Sequence, residues 1–180
     1  MRYFLTIAVF LLSGLFAIGQ NNVVIKDTRL VAGGRLNDTA FAIQSTVLDV
    51  ELTSFTGDVV VTFNTDNAKD LTNNAKRYVA KRSMNYRFRG NFKGLEERLK
   101  RNNTPEQVFF GEWEIMVGDV SMPGQAVEVK LSRLKGTTGK TQLVTFKGEF
   151  NPADFELDTD RFKWTDVIQY SIILTVITYD

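Results

Sequence analysis

Ala126-Val127-Glu128-Val129-Lys130-Leu131-Ser132-Arg133-Leu134 decides the fold. Val127, Val129 and Leu131 fall on one side of an extended chain, and Glu128, Lys130 and Ser132 on the other. Successive side chains of a strand point to opposite faces, so this alternation marks an antiparallel sheet with one dry and one wet face. The same period of two recurs on either side. Val144, Phe146 and Phe150 alternate with Thr145, Lys147 and Glu149, and Trp113, Ile115 and Val117 alternate with Glu112 and Glu114. Strands are predicted on this pattern over 40–52, 58–63, 78–87, 107–117, 126–134, 142–150 and 167–178.

Turn residues fall between these runs: Gly33-Gly34, Thr56-Gly57-Asp58, Pro123-Gly124, Gly136 to Gly139 and Asn151-Pro152. Glycine supplies positive φ and proline presets a turn. Many short strands at regular spacing predict an all-β sandwich or barrel. One stretch departs from the pattern. Leu95 and Leu99 are four apart, and Glu97 stands four before Arg101, which predicts a short helix outside the barrel or across one end. Asn102-Asn103-Thr104-Pro105 ends it. The last strand carries Ile168, Tyr170, Ile172, Leu174 and Val176 on one face, with Ile173 and Ile177 on the other. It belongs either in the middle of a packed sheet or against lipid. A lipid-facing reading would require an eight-stranded outer-membrane barrel, and the charged face of 126–134 argues against that.

Arg2, the apolar run from Phe4 to Leu12 and the small residues Ala17 and Gly19 before Gln20 have the form of a secretory signal peptide. The reading is a leader over residues 1–19, no stable membrane span, and a periplasmic or secreted single domain over 20–180. Such a domain buries roughly 70% of its unfolded surface. It has no cysteine, so no disulfide can hold it, and 14 Phe, 5 Tyr and 2 Trp are available for its core.

Histidine is absent too. That excludes Ser-His-Asp and Cys-His nucleophile systems, zinc sites of the His/Cys type and the usual pH switch. Function is expected to be binding rather than catalysis, with no cofactor and no metal ion. Glu112 and Glu114 share a strand face, and a carboxylate pair can serve a glycosidase, but neighbours of this kind are common on wet faces. Asp154, Glu156, Asp158, Asp160 and Asp166 make an acidic patch without the spacing of a calcium-binding EF-hand loop.

Charge is balanced in total, 22 basic against 21 acidic residues, but not in placement. The segment 69–101 holds eleven basic and three acidic residues, a net +8, which leaves −7 for the remainder. It is either a docking surface for an anionic partner or a solvated stretch facing the acidic remainder of the domain. Nucleic acid is not an expected partner for an exported chain. Asn37-Asp38-Thr39 and Asn102-Asn103-Thr104 fit the N-glycosylation pattern, which matters only in a host with that machinery.

From Ala42 to Val176 the order of features resembles the YceI-like family of exported, lipocalin-type barrels. The parts that carry it are Ser45-Thr46-Val47-Leu48-Asp49-Val50 ahead of Phe55-Thr56-Gly57, and Ser83-Met84-Asn85 before the Leu95 to Leu99 helix. Pro105-Glu106-Gln107-Val108-Phe109-Phe110 and Gly118-Asp119-Val120-Ser121-Met122-Pro123-Gly124 follow, then Phe146-Lys147-Gly148 running to Asp154-Phe155. Two departures stand out. Many family members carry histidine in the segments matching 45–50 and 118–123, and the family's glycine after the Asp-Phe pair is Glu156 here.

The resemblance implies an antiparallel, lipocalin-like barrel of about eight strands with one short helix, holding a long-chain lipid or isoprenoid. A barrel of that size is either filled by its own side chains or holds one slender ligand, and both outcomes stay open. The candidate lining residues are Leu48, Val50, Leu52, Val61, Phe63, Trp113, Ile115, Val117, Val129, Leu131, Phe146, Phe150, Ile172, Leu174 and Val176; each is equally an ordinary core position. Arg87, Arg89 and Lys93 are the candidate headgroup contacts. If the barrel is filled, the chain is an exported interaction module with a basic docking surface, and a carboxylate-dependent hydrolase is the third reading.

Overall fold

The computed structural model describes residues 23–72, 83–101, 105–134, 140–157 and 163–179. The signal-peptide reading of residues 1–19 lies outside them, as do Asp158 and Asp160 of the acidic patch, the second glycosylation triplet and the first half of the strand expected over 78–87.

The chain forms one ten-stranded antiparallel sheet. Its strands are β1 (Val23–Leu36), β2 (Thr39–Ser45), β3 (Asp49–Thr53), β4 (Asp58–Asn64), β5 (Lys69–Asp70), β6 (Asn85–Asn91), β7 (Glu106–Val117), β8 (Val120–Arg133), β9 (Lys140–Phe150) and β10 (Ile168–Thr178). In space they run β3-β4-β6-β7-β8-β9-β10-β1-β2-β5. Bulges in β1, between Ile25 and Asp27, and in the β7–β8 ladder, between Trp113 and Ile115, bend the longest strands. The sheet curls so that one face encloses a single core, to which nine of the strands contribute buried or half-buried apolar side chains. No ladder joins the edge strands β3 and β5 among the described residues; the chain itself crosses that seam through the loop 46–48 and the 3-10 turn Thr65–Asn67.

The apolar face is inside. Val127, Val129 and Leu131 are buried while Glu128, Lys130 and Ser132 line the outer face, the reverse of a lipid-facing barrel. β10 lies between β9 and β1, which explains its second apolar face: Ile173 and Ile177 are half-buried on the outside. No helix of the described residues is long and apolar enough to cross a membrane.

Helix α1 (Leu95–Lys100) closes one end of the barrel. Its two leucines, buried completely, point inward, and the Gln142 side chain donates to the Leu99 carbonyl from β9. Arg98 stacks on the Phe109 ring 4.4 Å away, and Glu96 pairs with Lys100 one turn on.

Three sequence expectations change. Val23–Leu36 is a strand, and Gly33-Gly34 is part of it rather than a turn: a β-carbon on Gly33 would meet the Phe41 carbonyl oxygen at 2.9 Å, and one on Gly34 the Val167 carbonyl oxygen at 2.9 Å. The turn is Asn37-Asp38, both at positive φ (49° and 60°), the form that a two-residue hairpin favours. Pro123-Gly124 likewise lies within β8, at the bulge, and the β7–β8 turn is Gly118-Asp119. The stretch 40–52 is two strands, because the Ser45 hydroxyl accepts from the Val47 backbone N–H at 3.1 Å and turns the chain.

Candidate functional site

The end of the barrel opposite α1 carries a narrow apolar slot. Its walls are Leu30 and Ala32 of β1, Phe41 and Ile43 of β2, Phe63 of β4, Tyr86 and Phe88 of β6, Phe150 of β9, and Ile168 and Tyr170 of β10, with Thr65 and Trp164 at the rim. Strand alternation puts them there, since every strand named turns one residue in two inward. Trp164 belongs to no strand and is placed by the backbone. Asn37 N–H donates to the Lys163 carbonyl at 2.8 Å, Lys163 N–H to Asn37 Oδ1 at 2.8 Å, and Thr165 N–H to the Arg35 carbonyl at 3.1 Å. These bonds lay Trp164 edge-on over Phe41, with ring centroids 4.9 Å apart.

Aromatic contacts continue inward. Tyr86 and Phe150 lie 6.4 Å apart and Phe88 and Tyr170 5.0 Å. The slot is nearly uncharged. Thr65 Oγ1 accepts from the Met84 N–H at 3.0 Å, and the Tyr170 hydroxyl accepts from Trp113. Burial pushes the Tyr170 phenol up to about 12, against a smaller opposing effect from the Trp113 hydrogen bond. The free volume of the slot is about 30 Å³, room for one or two waters.

Thirteen of the expected lining residues are buried on the inward face: Leu52, Val61, Phe63, Trp113, Ile115, Val117, Val129, Leu131, Phe146, Phe150, Ile172, Leu174 and Val176. Of these only Phe63 and Phe150 line the slot; the others belong to the same buried core. Leu48 and Val50 are both half-buried against the core, and Leu48 also borders a broad, mixed-polarity depression of about 750 Å³ beside Lys26, Asp27 and Arg29. Sequence reasoning left out ten slot residues. Tyr86 and Phe88 carried the period-two signal against Arg87 and Arg89, as did Phe41 and Ile43; Trp164, outside any alternation, carried none.

The basic residues expected at one rim are not gathered there. Arg87 and Arg89 project from the outer face of β6, opposite Met116 and Glu114 of β7, because Tyr86 and Phe88 take the inward positions. Lys93 is exposed beyond the far end of that strand, on the α1 side. Glu112 and Glu114 also face outward, and Glu114 accepts from the Ser121 hydroxyl at 2.6 Å. Asp154 sits in a 3-10 turn (Pro152–Phe155), and Asp166 accepts from the Val167 N–H. Among the described residues no three His, Cys, Asp or Glu side chains are grouped to hold a metal ion.

The geometry is that of an all-β, lipocalin-like barrel with an apolar interior. No family model matches the sequence, and no curated protein does. Among solved structures, a polyisoprenoid-binding domain from Saccharophagus degradans, implicated in plant cell wall breakdown, has a similar fold. Its TM-score is 0.61 at 9% sequence identity, over 88% of this chain and 99% of that one.

Proposed function

We propose that this chain is an exported, non-catalytic binding protein that holds a slender apolar ligand of the lipid or isoprenoid class inside its barrel. The observation that carries this reading is the slot: ten apolar or aromatic walls converge at the open end, continuous with a predominantly apolar interior. The similar fold of a domain named for binding polyisoprenoid supports it. Each methylene withdrawn from water contributes about 0.8 kcal/mol, so a chain of modest length supplies ample affinity. Entry requires the rim rings, Phe41 and Trp164 first, to swing aside. The leader over residues 1–19 directs export in this reading, and the mass of the mature chain from the producing host tests it.

A second reading has its own observation. The free volume of the slot is only about 30 Å³, which favours a barrel filled by its own side chains, as expected of one that is only a scaffold. Native mass spectrometry of the full chain from its own host, followed by organic extraction, separates the two. A discrete added mass that extracts as lipid supports the binding reading; bare protein alone supports the scaffold.

A further inference from the structure

We propose that the free edge of β7, from Glu106 to Gly111, docks an extended peptide in which basic residues flank apolar ones at alternate positions. The edge is open because its neighbour stops early. β6 pairs with β7 only from Gly90↔Trp113 to Tyr86↔Val117, and the chain then leaves β7 for the turn before β4, where Phe92 N–H donates to the Gly57 carbonyl at 2.7 Å. β8 covers the other edge of β7 along its whole length, from Glu106↔Ser132 onward. Among the described residues no strand pairs with Glu106–Gly111 on the β6 side, whereas the Glu112 carbonyl faces β6, 3.0 Å from where a β-carbon on Gly90 would stand.

Exposed strand edges are normally blunted by charge, proline or a covering element. Here the outer face of the open stretch carries Val108, 47% exposed, and Phe110, 76% exposed. α1 leaves that face uncovered, since its Arg98 stacks on Phe109, which points the other way. Glu106 and Glu112 stand at the two ends of the apolar pair, and Glu128 lies directly across from Phe110 on β8. Lys130, beside Val108, is engaged by Glu106 at 2.7 Å. Lys147 stands across from Glu128 on β9, so the patch is apolar at its centre with a mixed surround, in which Glu112 and Glu128 have no ion pair among the described residues.

That pattern selects the partner. An anionic lipid surface would meet Glu112 and Glu128. A second copy brings no added basic group to Glu112: the two-fold antiparallel register that sets Val108 against Phe110 sets Glu112 against Glu106, whose partner is already Lys130. A strand with lysine or arginine at its ends and two apolar residues between satisfies every position, with main-chain hydrogen bonds to β7 supplying the common term. This surface is independent of what the barrel holds.

The test uses the full chain and a capped nine-residue peptide in which threonine alternates with lysine, valine, valine and lysine. Binding is followed by backbone amide shifts and hydrogen exchange. Amides in Glu106–Gly111 are expected to gain protection, with affinity about tenfold weaker for Phe110→Thr and for Glu112→Lys. The same peptide with glutamate for lysine is expected not to bind. Phe110 and Glu112 are exposed, so both variants should melt like the parent. Unchanged protection along β7, equal binding of the glutamate peptide, or peptide-free dimers formed through this edge would overturn the proposal.

Discussion

Trp113 of β7 and Tyr170 of β10 are 57 positions apart in sequence and joined in the core, the indole Nε1–H donating to the phenol oxygen at 2.8 Å. Both side chains are almost wholly buried. Gly148, between them on β9, makes the bond feasible, because a β-carbon there would fall on the Tyr170 hydroxyl. Tyr170→Phe leaves the Trp113 donor unmatched and is expected to cost about 1–3 kcal/mol of unfolding free energy in chemical denaturation. Gly148→Ala should cost less in the Tyr170→Phe background than in the parent, since the displaced hydroxyl is gone. Strict additivity in that double-mutant cycle would show that the two residues do not compete for the same space.

The same phenol sets an alkaline limit. Its value of about 12 in the folded protein lies above the ordinary 10.0, so the folded state holds this proton more tightly than the unfolded chain. The resulting stability, about 2–3 kcal/mol, is fully present below pH about 10 and is lost as pH rises through about 12. Unfolding free energy measured across that interval should fall more steeply for the parent than for Tyr170→Phe. Parallel curves would place the loss elsewhere.

Glu156 closes the 3-10 turn at φ 52° and ψ 35°, a left-handed conformation that costs a side-chain-bearing residue about 1–2 kcal/mol. Glu156→Gly relieves that strain at some cost in unfolded-chain entropy, and a net gain of about 0.5–1 kcal/mol is expected in thermal or chemical melting. A loss would mean that the carboxylate makes a compensating interaction.

What the sequence disclosed and what it hid follow from one property of strands. Alternation in 126–134, 142–150 and 107–117 identified these strands and which residues point inward, because a half-buried face imposes a period of two. It also placed Leu52 inside, although 40–52 was read as one strand. Phe41, Ile43 and Ser45 face inward at odd positions and Leu52 at an even one; the Ser45 hydroxyl turn resets the phase between them. A break of that kind leaves no composition signal. β1 was hidden for a related reason: Gly33-Gly34 reads locally as a turn, whereas it is a tertiary demand that excludes a β-carbon from both positions. Helix α1 was legible, since the four-residue spacing of its leucines is a local property. The slot was only half legible, because Trp164 is placed by hydrogen bonds to Asn37 and Arg35, more than a hundred residues earlier.

Ala32 tests whether the slot is used. It is the smallest wall residue, half-buried beside Phe41 and Trp164, and Ala32→Trp would fill the free space without touching the helix-plugged end. Overpacking there is expected to cost about 1–3 kcal/mol of stability, which a core of this size can bear. If a lipid or isoprenoid chain enters by this end, the variant should lose the added mass that the parent carries and bind a fluorescent polyene alcohol about tenfold more weakly. Trp164→Ala should do the opposite, removing the ring that lies over Phe41 and speeding uptake of the same probe. Ala32→Trp protein that still carries the lipid found with the parent would move the entrance elsewhere.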